Sequence, residues 1–219
     1  MTLKNDLSRR HLLKWGGMTA ATIAVSGVWL PNFGISAALA ADLGEGDIGV
    51  LNYAYALEQL EAAFYTQVLE TPFSNMQQND QVILTSIRDH EIAHREFLKG
   101  ALGRKAIPSL EVDFSAVDFG SRRSVLSTAD VFENLGVAAY NGAGQLLSNT
   151  DYLVAAGSIV SIEARHAAAI ADLLRPYSAQ SVGRGHVDGK GLDGALLPSQ
   201  VLPKAAPFIV TAVSANALP

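Results

Sequence analysis

Glu91-Ile92-Ala93-His94 and Glu163-Ala164-Arg165-His166 write one carboxylate–imidazole pair twice, 72 positions apart. On a helix, residues three apart share a face, so a single turn offers an oxygen and a nitrogen to the same point in space. Upstream of each pair stands a Glu with a Tyr seven residues later: Glu58 and Tyr65 before the first, Glu133 and Tyr140 before the second. The steps are similar, 33 residues from Glu58 to Glu91 and 30 from Glu133 to Glu163. These are metal-ligand types. Two single carboxylates and two carboxylate–histidine turns are what a four-helix bundle needs to hold two metal ions in its core.

Four segments with helical periodicity must position these residues. They run over about 48–69, 80–102, 129–147 and 152–174. Asp47, Asn79 and Ser127 or Thr128 stand where N-caps belong, Gly103 follows the second segment, and Pro176 closes the fourth. A short connection, Ser148–Asp151, makes the last two helices antiparallel neighbours, and about ten residues join the first two. The stretch from Gly103 to Ser127 is long enough to run the length of a bundle and start the third helix from the far end. Phe114, Val117 and Phe119 are placed to pack as it crosses. The fold class is therefore all-α, a four-helix bundle with one long crossover between helices two and three. Residues 41–176 form the bundle. Residues 177–219 are a Gly- and Pro-rich C-terminal extension: an exposed loop to Gly194, then an apolar tail docked on the bundle with a short helix near Pro198–Ala206.

Each motif falls on an apolar stripe. Helix two aligns Ile83, Leu84, Ile87, Glu91, His94, Leu98 and Leu102, and helix four aligns Ile159, Glu163, His166, Ile170 and Leu174. Helix three aligns Glu133, Gly136 and Tyr140, and helix one aligns Glu58, Glu61 and Tyr65. Five carboxylates and two histidines turned into one core are costly unless something neutralises them. Two metal ions would do so, with Glu58, Glu91, His94, Glu133, Glu163 and His166 as ligands. Glu61, Tyr65, Tyr140 and His90 are candidates for further ligands or supporting contacts, the tyrosines by bonding carboxylates of the opposite half. A competing motif overlaps: His90-Glu91-Ile92-Ala93-His94 fits H-E-x-x-H, a zinc peptidase helix in which two His bind zinc and Glu is the base. It leaves Glu133, Glu163 and His166 unexplained.

The N-terminus reads as an export signal. Arg9-Arg10 begins a twin-arginine pattern, an uncharged apolar stretch follows, and Ala38-Leu39-Ala40 is a cleavage sequence, so cleavage is placed after Ala40. That implies a periplasmic or secreted protein. The whole chain carries −5; losing Lys4, Arg9, Arg10, Lys14 and Asp6 with residues 1–40 takes the remainder to −8. Such a charge argues against nucleic acid or an anionic membrane surface as a partner after cleavage. The absence of Cys excludes disulfides, thiolate iron sites and thiol catalysis.

Glu58…Tyr65, Glu91-x-x-His94, Glu133…Tyr140 and Glu163-x-x-His166 together resemble the ferritin-like superfamily, as in bacterioferritin and rubrerythrin. Leu57-Glu58-Gln59-Leu60-Glu61-Ala62-Ala63-Phe64-Tyr65 and the tail from Leu196 to Ile209 look more particularly like exported bacterial ferritin-like proteins related to plant desiccation-related proteins. The resemblance implies two metal ions, iron or manganese, with Glu91 and Glu163 bridging, His94 and His166 each capping one ion, and Glu58 and Glu133 as the remaining carboxylates. It implies oxidative or desiccation stress protection through oxygen, peroxide or ferrous-iron chemistry, as a ferroxidase- or peroxidase-like oxidoreductase with a small oxidant or metal ion as substrate. A homodimer is compatible with it. A non-catalytic binding or protective protein with a structural or vacant site is the alternative. The chain departs from ferritins proper in its export signal, its long tail and the glycines at 136, 142 and 144.

Overall fold

A computed structural model describes residues 40–219. The export-signal reading of residues 1–40 lies outside the described residues apart from Ala40. Four helices dominate: α1 (Gly46–Glu70), α2 (Gln78–Leu102), α3 (Arg122–Gly144) and α4 (Thr150–Leu174). A short α5 (Pro198–Ala205) follows, and β1 (Ala41–Asp42) pairs in parallel with β2 (Val213–Ser214). The fold is all-α. At 1.5 Å per residue the three 25-residue helices each span about 37 Å.

The helix ends follow local chemistry. The sequence starts helix three near Ala129, but α3 begins seven residues earlier, where the Ser121 hydroxyl accepts from the Ser124 N–H. Residues 122–128 are mostly polar, with the fully buried Val125 and Leu126 among them, and Ser127 and Thr128 imitate a cap at their end. Asp47 does not cap α1, which starts after Glu45. Its carboxylate instead accepts from Ser148 N and Asn149 N at 2.8 and 3.0 Å, bracing the turn between α3 and α4. Asn149 caps α4 through Asp151 N. Asp80, rather than Asn79, marks the start of α2, accepting from Gln77 N.

Antiparallel register between α1 and α3 is fixed by reciprocal contacts: Tyr65 bonds Glu133 while Tyr140 bonds Glu58. Seven residues up one helix are seven residues down the other. The crossover, Gly103–Ser121, thus carries the chain from the end of α2 back to the opposite end of the bundle. It does not merely lie on the surface. The buried side chains Asn52 and Gln59 on the outer side of α1 bind its backbone at Lys105 O, Ile107 N and Leu110 N. With that cover, α1 is buried around nearly its whole circumference from Gly49 to Ala62 rather than along one stripe. Phe64, Phe114, Phe132 and Phe208 join α1, crossover, α3 and tail in one aromatic cluster, with ring centroids 4.9–6.2 Å apart.

The C-terminal segment crosses α3 closely. Leu196 N donates to Ala138 O, and a Cβ on Gly142 would lie 1.9 Å from Leu196 O. Gly142 is therefore the only kind of residue α3 can place under the tail at that point. Farther on, Val210 N donates to Glu111 O and Asp113 N to Phe208 O, tying the tail to the crossover.

Candidate metal centre

Each apolar stripe brings one piece of the cluster to the bundle centre. Glu58, Glu91, Glu133 and Glu163 are all 0% exposed, one from each helix, and His166 is 4% exposed. His94 and His166 turn Nδ1 inward. His94 Nδ1 lies 3.1 Å from Glu163 Oε1, 3.5 Å from Glu58 Oε2 and 3.6 Å from Glu91 Oε2. His166 Nδ1 lies 2.8 Å from Glu91 Oε1, 3.4 Å from Glu133 Oε2 and 4.0 Å from Glu163 Oε2.

The donor atoms fall into two groups: Glu58, Glu91, His94 and Glu163; and Glu91, Glu133, Glu163 and His166. Within each, one ligand atom per residue lies within 4.8 Å of the others. Glu91 and Glu163 belong to both groups, the placement a bridging carboxylate needs. Among the described residues, nine buried side-chain nitrogen or oxygen atoms have no hydrogen-bond partner, and eight of them belong to these six residues. The ninth is the Tyr53 hydroxyl. Histidine nitrogens and carboxylate oxygens here approach to 2.8–4.0 Å without forming hydrogen bonds. Buried polar atoms are otherwise almost always partnered. A cluster of convergent oxygen and imidazole donors that leaves its own inner atoms unpartnered fits a metal ion.

The outer oxygens are held in place. Tyr65 donates to Glu133 Oε1, and Tyr140 donates to Glu58 Oε1 at 2.5 Å. Burial, followed by the neighbouring carboxylates, pushes both phenols well above their usual range, so they remain donors. The inner oxygens are left facing the cluster.

Glu61 is buried on the same face of α1, 4% exposed, but belongs to neither donor group. Across from it, α3 has Gly136: a Cβ there would lie 3.3 Å from Glu163 Oε2 and 3.3 Å from Glu61 Oε1. A side chain at 136 would press on both carboxylates. The glycine noticed in the sequence thus makes room for two acids. His90 is exposed on α2, and its Nδ1 lies 2.8 Å from Nε2 of His166. It joins no donor group with His94, so the His90–His94 pair required by a zinc peptidase does not converge. The link from His90 to His166 joins different helices and has no signature in sequence spacing.

Electrostatics describe how the metal-free cluster survives. Burial raises Glu58, Glu61 and Glu163 above the usual carboxylate range, and mutual repulsion among the acids adds to it. Burial also carries Glu133 up to about 8, against the pull of His166. Burial should lower the histidines, but the surrounding carboxylates win, holding His94 at about 12 and His166 at about 10. Glu91 meets both imidazoles and, despite burial, falls to about 2. Protons thus stand where cations would, and a metal ion must displace them.

No curated protein matches the chain. A family model for the ferritin-like domain matches residues 46–176, the span from the start of α1 to just past α4 that contains every residue of the cluster. With the four helices and their buried carboxylate–histidine centre, that match places the chain in the ferritin-like domain family.

Proposed function

We propose that the cluster holds two metal ions, iron or manganese, and that the protein acts on dioxygen, peroxide or ferrous iron in protection against oxidative or desiccation stress after export. The observation that carries this reading is the set of eight unpartnered inner atoms, divided into two groups that share Glu91 and Glu163. Charge supports the number. Glu58, Glu91, Glu133 and Glu163, fully ionised, carry four negative charges and balance two divalent cations in a site that tolerates little net charge. Carboxylates with imidazoles and no thiolate suit iron or manganese.

Bound iron or manganese would supply the electrons that a small oxidant accepts. The chain's own residues do the rest. Tyr65 and Tyr140 fix Glu133 and Glu58 from the far side, and the helices exclude bulk water. Beside Tyr140, a small apolar cavity lined by Leu51, Ala54, Leu98, Ala143 and Ile159 suits a nonpolar diatomic molecule better than water. Export rests on the twin-arginine pattern at Arg9-Arg10.

Elemental analysis of protein loaded in the cell tests the site, with Glu91→Ala and His166→Ala as controls. Two equivalents of iron or manganese, lost in both variants, are expected; a content well below two that the variants leave unchanged would sink the reading. Multiple turnovers with ferrous iron or peroxide are expected of the loaded protein, and their absence would leave a protective protein without catalysis.

A further inference from the structure

The repeat that builds the cluster is broken at one informative place. His90 directly precedes Glu91, and the residue directly preceding Glu163 is Ile162. His90 Nδ1 lies 2.8 Å from His166 Nε2, and the two rings are within 9° of coplanar, the arrangement of a hydrogen bond in the plane of both imidazoles. One of the two nitrogens must donate and the other accept. For the Nδ1 of His166 to present a lone pair to a metal ion, the ring proton must sit on Nε2, and His90 Nδ1 is then the acceptor; an imidazolium at position 166 also donates from Nε2 to the same acceptor. His90 in turn keeps its own proton on Nε2, on the exposed side of α2.

His94 has no such support. Its Nδ1 is also turned inward, but the side chain of Ile162 has no atom that accepts a hydrogen bond, and no hydrogen bond from the outer nitrogen of His94 is formed among the described residues. Its side chain is 13% exposed, against 5% for His166. A ligating histidine whose outer nitrogen is tied has a fixed ring and tautomer, and loss of such a tie typically costs about 10–100-fold in metal affinity.

We infer that His90 is a positioning residue for His166, and that the two ends of the cluster hold metal unequally: the His166 end firmly, the His94 end as the exchanging position. This rests on the metal-binding reading proposed above. The positioning part can be tested without metal. In metal-free wild-type protein, His166 is expected to show an Nε2–H resonance in slow exchange with water; His90→Leu removes it, and His90→Gln, which can still offer an acceptor, retains it in part. An N–H resonance unchanged in His90→Leu would overturn the assignment.

The unequal hold is tested by loading the protein with Co2+, chosen for its visible absorption, and mixing with excess chelator. Wild-type protein is expected to release the ion in a fast and a slow phase. His90→Leu should speed the slow phase by about 10–100-fold and leave the fast one alone. A single phase in wild type, or two phases untouched by His90→Leu, would refute the inequality while leaving metal binding intact. Failure of wild-type protein to take up Co2+ at all would refute the metal reading itself, and the N–H resonance would still decide the role of His90. Because position 90 is exposed, circular dichroism of both variants should match wild type.

Discussion

Replacing Glu133 with Gln should stabilise the metal-free protein and destabilise the loaded one. Glu133 is fully buried, and its carboxyl is carried from an ordinary 4.5 to about 8. Folding at neutral pH therefore takes up a proton that the unfolded chain has released. At pH 7 that uptake spans about 2.5 pH units, and at 1.36 kcal/mol per unit it costs about 3 kcal/mol. The sign follows from a folded value above the unfolded one: stability is complete below pH 4.5 and is lost as pH rises toward about 8. Gln is close to Glu in shape, can still accept from Tyr65 through Oε1, and takes up no proton. Calorimetry of chelator-treated protein should then show Glu133→Gln melting about 6–12 °C above wild type at pH 7, at about 2–4 °C per kcal/mol for a domain this size. The difference should nearly vanish by pH 5. With iron or manganese added the order should invert, because wild type gains a ligand that the variant lacks. A variant that melts below wild type at pH 7 without metal, or by a margin independent of pH, would refute the argument that buried acid charge limits the stability of the metal-free bundle.

Other expectations follow from particular contacts. Arg122 bonds Asp80 at 2.7 and 3.1 Å and reaches Leu173 O, tying the starts of α2 and α3 to the end of α4. The Arg122 hydrogen bonds hold the Asp80 carboxyl below its usual range, so their stabilisation is complete above about pH 4 and is lost as pH falls through the depressed folded value. Asp80→Asn should lower the melting temperature by about 2–4 °C at pH 7, since the half-exposed Arg limits the pair to about 1 kcal/mol, and the gap should close as pH falls through the depressed folded value. Gly142→Ala places a Cβ 1.9 Å from Leu196 O, so the tail must lift; a loss of about 1–3 kcal/mol and faster proteolysis after Gly194 are expected, and unchanged protease resistance would contradict the close crossing. Glu61→Gln should keep the metal content of wild type, because Glu61 lies in neither donor group, whereas a loss comparable to that of Glu91→Ala would make it a ligand.

The parts of this molecule that repeat were legible in the sequence. Glu58, Glu91, Glu133, Glu163 and both histidines reveal themselves because ligands on helices must recur at three- and seven-residue spacings, and helical periodicity is written locally. What was not legible depends on contacts between distant segments. Asn52 and Gln59 look like ordinary polar residues until the crossover backbone binds them. Asp47 looks like a cap but serves a turn a hundred residues away. The glycines at 136 and 142 are visible as poor choices inside a helix, yet one clears space for two carboxylates and the other for a backbone, and only the packed structure distinguishes them. The first turns of α3 were missed because only Val125 and Leu126 break a run of Arg, Ser and Thr there, and the cap-type residues at 127 and 128 hid two side chains that the fold buries completely.

The near-twofold repeat also makes its own exceptions testable. If the cluster is two copies of one half-site, then a residue present in one copy and missing from the other can be supplied. Ile162→His puts an imidazole on α4 at the position corresponding to His90 on α2, one residue before the shared Glu, where the antiparallel packing that joins His90 to His166 would direct it toward the outer nitrogen of His94. The change replaces a half-buried apolar side chain with a polar one, so a small loss of stability in the metal-free protein is expected, on the order of 1 kcal/mol. Release of Co2+ should nevertheless slow, the fast phase moving toward the slow one, because the gain is confined to the ligand and does not depend on overall stability. If the fast phase is unchanged while the slow phase still responds to His90→Leu, the two halves are alike in their inner side chains but not in the geometry behind them, and the repeat ends at the six residues that line the cluster.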